Sequence, residues 1–291
     1  MLVNLNEVLI PARNGKYCIG AFNIYNLEIA SAVYHAALEQ NMPVIFAFGE
    51  RYIHVANLEV IGAIVKKFAG STKIPMVLHL DHCKSIDVIY RAVQAGFTSV
   101  MFDGSNLSFD ENLAETKKVV DFAHAVNVTV EAELGSVPFD HDDAIPEEFL
   151  TKADEAEIFV RETGIDALAV AIGSAHGEYK GKPTIYHDRL REIARTIPQP
   201  MVLHGGSGIP EEDVLAAIGG GIAKINVNTE ISKAAVKNLQ ELLARPKPGH
   251  LSDLGMEIEK TMTAEIGKFI RLFANGKSPN IDMAVSAEGT S

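Results

Sequence analysis

Three of the ten histidines, His82, His176 and His204, lie at or shortly after the ends of short apolar runs. Neutral imidazoles are preferred zinc ligands, and three of them with one open position form a typical catalytic zinc site. Asp81 directly precedes His82, where a carboxylate could orient the imidazole or act as a general acid/base. A single histidine in such a place is more often structural, so this interpretation requires the three histidines to meet in the fold.

Two carboxylates, Asp103 and Glu133, also stand at the ends of apolar runs. They could bind a second cation, or the same metal at an alternative position. A role for both carboxylates in a hydrogen-bond network at the rim is an equally good interpretation. Glu131 shares a strand face with Glu133 and is expected to be a buried structural carboxylate. We expect Lys224 to form an internal ion pair rather than a Schiff base, and His79 to form a hydrogen bond in the core.

Two short segments have the composition of phosphate-binding loops, namely 204–208 (HGGSG) and 226–230 (NVNTE). Glycine allows backbone N–H groups to approach an anion closely, and a helix that begins there adds its dipole. The alternative is ordinary turn chemistry. Gly219, Gly220 and Gly221 are expected only to end a helix.

Short apolar runs alternate with longer amphipathic segments along the chain. The predicted strands are 17–23, 43–48, 75–80, 98–102, 127–133, 166–172, 200–204 and 222–227. The predicted helices are 27–40, 51–69, 85–95, 110–125, 153–163, 187–196, 210–219 and 229–244. This alternation is typical of βαβ units, and eight units predict an α/β fold, the closed (β/α)₈ TIM barrel. The carboxyl ends of the strands meet at one rim of such a barrel, where active sites are built.

The segments that flank the eight units complete the predicted architecture. Residues 4–15 predict a leading helix, which Pro11 is expected to kink or end, and residues 253–274 predict an extra helix after the barrel. We therefore predict a single barrel domain over 1–276. The polar segment 277–291 is expected to be a loose tail.

Composition excludes several classes of protein. The formal net charge of −12, without blocks of like charge, argues against partners such as nucleic acid or an anionic membrane. Two cysteines, Cys18 and Cys83, are too few for a disulfide framework and indicate a reducing compartment. The sequence shows neither a signal-peptide pattern nor an apolar run of roughly 18 residues, so we expect a cytoplasmic protein.

Six segments together resemble the class II zinc-dependent ketose-bisphosphate aldolases, which include the fructose- and tagatose-bisphosphate enzymes. They are AFNI (21–24), HLDHC (79–83), VEAELG (130–135), GSAHGEYKG (173–181), LHGGSG (203–208) and KINVNTE (224–230). The resemblance implies that His82, His176 and His204 hold Zn²⁺ and that Asp81 is the acid/base at the C4 hydroxyl of the sugar. It also implies that Asp103 and Glu133 can hold a second or displaced divalent ion.

The resemblance further implies a substrate and an assembly. The donor would be dihydroxyacetone phosphate and the acceptor glyceraldehyde 3-phosphate or a related aldehyde, as in glycolysis. The substrate-binding residues would be Asn23, Gly177, Gly205, Gly206, Ser207, Asn226, Val227, Asn228 and Thr229. Backbone near His176 and Gly205 could also hold Na⁺ or K⁺, and a homodimer or homotetramer is expected. Alternatives are a family member that acts on a sugar 1-phosphate, a zinc hydrolase on the same fold, and a non-catalytic sugar-phosphate sensor.

This sequence departs from the family in the part that would contact the aldehyde. Residues 245–250 (RPKPGH) replace the usual Asp-Pro-Arg segment, and Phe48-Gly49 replaces a small hydroxyl residue. Weak dependence on a phosphate at the aldehyde end is therefore predicted, unless Lys180, Lys182 or Arg271 replaces the missing arginine. The long loops 135–152 and 173–186 are candidate lids. Candidates for the residue that handles the C3 proton are Asp140, Asp142, Asp143 and Glu147.

Overall fold

Eight parallel strands close into a barrel in sequence order, which confirms the predicted (β/α)₈ fold. The computed structural model describes residues 1–135, 137, 145–177, 179, 181–247 and 249–278. The strands are β1 (Ile19–Asn23), β2 (Val44–Gly49), β3 (Met76–Cys83), β4 (Ser99–Phe102), β5 (Thr129–Leu134), β6 (Ala167–Val170), β7 (Met201–Leu203) and β8 (Ile222–Val227). Pairing of β8 with β1 closes the sheet.

Helices surround this barrel and cover the outer face of its strands. Within the described ranges they are α1 (Leu5–Gly15), α2 (Leu27–Gln40), α3 (Leu58–Ala69), α4 (Ile86–Gln94), α5 (Phe109–His124), α6 (Ala153–Thr163), α7 (His187–Thr196), α8 (Glu211–Gly219), α9 (Thr229–Leu243) and α10 (Leu251–Ala274). Apart from His82, every strand residue is buried. Strands covered on both faces require nearly continuous apolar runs, which is why the sequence marks them so clearly.

The leading helix predicted over 4–15 is present and continues past Pro11 to Gly15, so of the two expected effects of the proline, a kink or an end, the structure excludes the end. The side chain of Asn4 accepts the Glu7 N–H, and the side chain of Glu7 accepts the Asn4 N–H, so a capping box begins α1. The buried face of the helix continues beyond the proline to Ala12. Proline has no N–H, so the Glu7 carbonyl lacks its helical hydrogen-bond donor. Pro11 and Glu7 are both exposed, so water can bind this carbonyl instead.

The prediction of a helix over 51–69 is wrong in its first part. A single 3₁₀ turn covers Glu50–Tyr52, and α3 begins only at Leu58. The side chain of Asn57 accepts the Val60 N–H and caps the helix there. The shorter helix leaves residues 50–57 as a loop at the carboxyl end of β2, beside the site described below.

The last helix packs across α2 and α9 and joins the main core. It begins two residues earlier than predicted because His250 and Asp253 form a capping box. One hydrophobic core extends from Val3 to Ala274. Residues 279–291 of the predicted tail lie outside the described residues. No helix in the described part of the chain has the length and apolar character needed to cross a membrane.

Two glycines in helices offer a matched test of this packing. A methyl group at Gly62 of α3 would lie 2.3 Å from the Ala95 carbonyl oxygen, whereas one at Gly219 would meet no atom within 4 Å. Gly62→Ala is therefore expected to cost about 1–3 kcal/mol, which lowers the Tm by roughly 2–6 °C. Gly219→Ala is expected to be neutral or stabilising by about 0.4–1 kcal/mol. Thermal unfolding of both variants measures this, and equal Tm values would contradict the close packing of α3 on α4.

Candidate active site

A break in the regular pairing of β3 brings Asp81 and His82 to the same cavity. Adjacent strand residues ordinarily point to opposite faces. Here the register with β4 shifts between Leu80 and Cys83, and His82 has a φ of 49°. Because the strand continues to Cys83, this break is a bulge within β3. Ser85 then caps α4.

The three predicted histidines meet at the carboxyl rim of the barrel. His82 ends β3, His204 follows β7, and His176 lies in the loop after β6. One ring nitrogen from each lies within 4.8 Å of the others. His204 Nδ1 and His82 Nε2 lie 2.8 Å apart. Three imidazoles from separate strands thus converge as the sequence interpretation requires.

The remaining ring nitrogens of two of these histidines are held by carboxylates. His204 Nε2 lies 2.9 Å from Glu131 Oε1, and His82 Nδ1 lies 3.3 Å from Asp103 Oδ2. A hydrogen bond from His204 Nε2 to Glu131 leaves the Nδ1 lone pair facing the cluster. Carboxylates that orient imidazoles in this way are the usual partners of metal-ligating histidines. The residues present therefore fit a divalent metal.

A second group of potential ligands shares His82. It consists of His82, Asp103 and Glu133. Oxygen Oε2 of Glu133 is buried, has no hydrogen-bond partner among the described residues, and lies 3.9 Å from His82 Nδ1. Burial raises the pKa of Glu133 to about 8. A cation at this point would satisfy the carboxylate, in keeping with the predicted second or displaced ion.

The electrostatic field of the cluster favours positive charge. Burial alone would lower the pKa of His82, but Asp81, Asp103 and Glu133 together raise it to about 9. Burial and the neighbouring charge of His82 lower the pKa of His176 to about 3. The carboxylates therefore favour a positive charge at the His82 imidazole, and burial together with that charge disfavours a second one at His176.

Two asparagines hold the carboxylate of Asp81 in a fixed orientation. Asn23 Nδ2 donates to Asp81 Oδ2 at 2.9 Å, and Asn226 Nδ2 donates to Asp81 Oδ1 at 3.0 Å. Burial would raise the pKa of Asp81, but the positive charges of His82 and Lys224 hold it well below its usual range. The sequence predicted both asparagines as substrate contacts, and their hydrogen bonds to Asp81 were missed.

A fully buried ion pair supports the cluster from inside the barrel. Lys224 Nζ lies 2.8 Å from Glu131 Oε2, and both side chains are completely buried. His79 Nδ1 lies 2.8 Å from Ser99 Oγ. The expectations of a structural Glu131, an internal ion pair at Lys224 and a hydrogen-bonded core His79 are confirmed. Because Lys224 is bound to Glu131, its amine is not a free nucleophile.

The cluster opens into a cavity of about 360 Å³, within the range of small-molecule sites. Eleven of its lining residues were predicted from the sequence: Asn23, Asp81, His82, Asp103, His176, Gly177, Gly205, Ser207, Asn226, Asn228 and Thr229. The other four predicted residues, His204, Glu133, Gly206 and Val227, do not line the cavity. The Gly206 N–H donates to the Asn226 carbonyl at 3.1 Å, and Val227 is buried in the barrel wall.

One end of the cavity carries unsatisfied hydrogen-bond donors. Thr229 begins α9, and no side chain caps that helix. The hydroxyl of Ser207 is buried and has no hydrogen-bond partner in the described part of the chain. Gly205 has a φ of 68°, and a methyl group there would lie 2.1 Å from the Ala175 carbonyl oxygen, so this close approach requires glycine. These features suit an anion.

A tyrosine joins the loop after β6 to the loop after β7. The Ala175 N–H donates to Tyr179 Oη at 2.8 Å, and Tyr179 Oη donates to the Gly205 carbonyl at 3.0 Å. The two loops that flank His176 and His204 are therefore held together by one side chain. Sequence analysis did not identify Tyr179, although it lies in a segment chosen for its length.

Several other predicted residues lie away from the cavity. Lys182 pairs with Glu212 at 3.0 Å, Glu147 pairs with Arg189 at 3.0 Å, and Arg271 lies in the last turn of α10. Four predicted residues, Lys180, Asp140, Asp142 and Asp143, lie outside the described residues. Among the described residues, the cations that line the cavity are Arg51 and Lys84, neither of which was predicted as a site residue. Their positions in the sequence could have identified both residues, since each closely follows the end of a predicted strand.

A (β/α)₈ barrel with imidazoles and carboxylates at its carboxyl rim is an architecture of metal-assisted enzymes. The family model for class-II fructose-bisphosphate aldolase matches residues 3–277, and the chain belongs to this family. It is therefore an aldehyde-lyase of carbohydrate metabolism, in a family that is generally metal-dependent and acts on sugar phosphates.

Similar proteins agree with this assignment. The chain is 41% identical over 282 residues to the fructose-bisphosphate aldolase of Staphylococcus aureus (strain Mu50), covering 92% of this chain and 97% of that protein. It is 43% identical over 249 residues to a probable fructose-bisphosphate aldolase of Bacillus subtilis (strain 168), covering 84% and 87%. The crystal structure of the YdjI aldolase from Escherichia coli K12 matches with a TM-score of 0.87 and 34% identity, covering 96% and 100%.

The carboxylates behind the histidines provide a test of the metal centre. Asp103→Asn keeps the size of the side chain but removes the negative charge beside His82 Nδ1. We expect metal affinity to fall by roughly 10–100-fold, as for other carboxylates behind ligating histidines. Competition with a chelator measures the affinity, and Asp110→Asn, on the exposed start of α5, is the matched control. Equal affinities of the two variants would exclude Asp103 from the metal centre.

Proposed function

We propose that this chain reversibly cleaves a ketose phosphate into dihydroxyacetone phosphate and an aldehyde, with a bound zinc ion. The observation that carries the proposal is the position of Asp81, a buried carboxylate adjacent in sequence to His82, one of three converging imidazoles. The names of the relatives support a fructose bisphosphate as substrate. A sugar 1-phosphate remains the alternative.

Three imidazoles and nearby carboxylates are a donor set that zinc accepts. We assign His82, His176 and His204 as its ligands, with Asp103 and Glu133 as ligands of a second or displaced divalent ion. When bound, zinc would supply Lewis-acid polarisation of a carbonyl group. The predicted Na⁺ or K⁺ near His176 and Gly205 belongs to the same proposal.

We assign the donor phosphate to the end of the cavity with unsatisfied donors. The N-terminus of α9 and the hydroxyl of Ser207 are available there. Gly177, Gly205 and Asn228 line the same end. Backbone N–H groups and a helix dipole can bind a phosphate without a nearby lysine or arginine.

Asp81 handles the proton in the proposed reaction. Its carboxylate accepts the proton of the C4 hydroxyl as the bond between C3 and C4 breaks, and the aldehyde leaves. The electron pair of that bond stays with the three-carbon fragment as an enolate, which becomes dihydroxyacetone phosphate when it takes up one proton at the former C3. This proton balances the one lost from the C4 hydroxyl. Because Asn23 and Asn226 hold both carboxylate oxygens, Asp81 stays ionised and aimed into the cavity before substrate arrives.

Two variants separate the proton transfer from the metal. Asp81→Ala is expected to keep metal but lose turnover by roughly 10²–10⁴-fold, the usual contribution of general acid–base catalysis. His204→Ala is expected to lose metal and activity together. Metal analysis and steady-state cleavage of fructose 1,6-bisphosphate measure both, and a nearly wild-type rate for Asp81→Ala would remove Asp81 from the mechanism.

Metal removal separates this chemistry from that of a Schiff base. Treatment with EDTA should abolish activity, and added zinc should restore it. Borohydride in the presence of substrate should leave activity intact, because Lys224 is paired with Glu131. If activity survived EDTA but were lost with borohydride, the lysine mechanism would replace the one proposed.

A further inference from the structure

Arg51 places a positive charge at the cavity of a chain whose formal net charge is −12. It lies in the 3₁₀ turn after β2 and lines the cavity. Its Cζ atom lies 4.7 Å from the centre of the Tyr52 ring, and its Nη2 donates to Tyr52 Oη. Within the described ranges it forms no ion pair with a carboxylate. The guanidinium is thus positioned by an aromatic ring while its charge stays available.

The tyrosine beneath Arg51 is itself fixed to the rim of the cavity. Asn228 Nδ2 donates to Tyr52 Oη at 3.1 Å, and the Tyr52 ring packs against Tyr25 with centroids 5.1 Å apart. Arg51 is therefore exposed at the rim of the cavity but held by a connected set of side chains. A preorganised guanidinium loses little conformational entropy when it binds an anion.

The place of Arg51 along the substrate follows from the proposed reaction. The donor phosphate is assigned to the loops after β7 and β8, and Asp81 on β3 receives the C4 hydroxyl proton. Gly49 of β2 pairs with Asp81 of β3, so we place the sugar atoms beyond C4 beside Asp81, at the carboxyl ends of β2 and β3. Arg51 follows β2 and Lys84 follows β3. Both cations thus stand where the far end of the aldehyde would lie.

The carboxylates near Arg51 are already engaged by other groups. Glu50 accepts the Lys84 N–H at 3.0 Å, and Asp103 accepts from Ser105 Oγ at 2.6 Å. Lys84 Nζ is 3.9 Å from Asp103 Oδ2, whereas Arg51, which is also exposed, has no carboxylate partner among the described residues. Arg51 is consequently the better placed of the two cations to bind a new anion.

We propose that Arg51 recognises an anionic group, a phosphate or a carboxylate, at the end of the acceptor aldehyde remote from the carbonyl. This inference rests on the proposed function. A guanidinium forms paired, charge-assisted hydrogen bonds with either anion. It would take the place of the arginine in the missing Asp-Pro-Arg segment, so the weak dependence on a distal charge expected from that absence would not hold.

The test compares charged and neutral acceptors in condensation with dihydroxyacetone phosphate. One pair is glyceraldehyde 3-phosphate and glyceraldehyde, and the other is succinic semialdehyde and butanal. The quantity measured is the ratio of kcat/KM for the charged aldehyde to that for its neutral counterpart. Arg51→Met removes the charge, Arg51→Lys keeps it without the planar fork, and Arg161→Met, on the exposed face of α6, is the control.

Arg51→Met is expected to lower this ratio by about 10–100-fold in at least one pair, the size of a lost charge-assisted interaction. Arg51→Lys should retain part of the ratio, and Arg161→Met should retain all of it. Comparison of the phosphate-bearing aldehyde pair with the carboxylate-bearing pair shows which anion Arg51 binds. An Arg51→Met ratio equal to that of wild type in both pairs would overturn the proposal.

Two further outcomes distinguish other roles. If Arg51→Met raised the KM for dihydroxyacetone phosphate with every aldehyde and left the ratios unchanged, Arg51 would bind the donor phosphate and the proposal would be wrong. If the wild-type enzyme condensed none of the four aldehydes, the proposed function itself would fail. An active wild type with unchanged ratios in both Arg51 variants would contradict only the role of Arg51.

Discussion

The bulge in β3 is the constraint on which the site depends. In a regular strand, one of Asp81 and His82 would face the barrel interior and the other would face the surrounding helices. The left-handed φ of His82 turns both side chains into the cavity, a conformation that costs a non-glycine residue on the order of 1 kcal/mol. The Asp103 N–H donates to the Cys83 carbonyl at 2.8 Å, and this bond resumes the pairing with β4 beyond the bulge.

Charged side chains inside the barrel orient a histidine at its carboxyl rim. Glu131 and Lys224 are a fully buried ion pair, an arrangement that apolar residues of similar size would often replace without loss of stability. In this chain Glu131 also accepts a hydrogen bond from His204, so the pair determines which ring nitrogen of that histidine faces the cavity. Charged groups in the core are thus explained by the orientation of the His204 imidazole rather than by stability.

Local patterns predicted the barrel and most of the site, because strands buried on both faces and polar residues at strand ends are direct sequence signals. Features that depend on tertiary contacts were not predictable in this way. Helix α1 continues through Pro11 because the lost hydrogen bond lies on the exposed face of the helix. Helix α3 is shorter than predicted because Asn57 caps its N-terminus. The stacking of Arg51 on Tyr52 depends on a side chain of the loop after β8, about 175 residues away in sequence.

The central claim is that the three histidines together bind one divalent ion beside Asp81. X-ray absorption spectroscopy at the zinc edge, on protein loaded with one equivalent of zinc, tests this most directly. The account predicts imidazole nitrogens from three histidines at about 2.0–2.1 Å and no sulfur ligand. A zinc–sulfur distance of about 2.3 Å, which would place Cys83 on the metal, or a shell of oxygen alone, would contradict it.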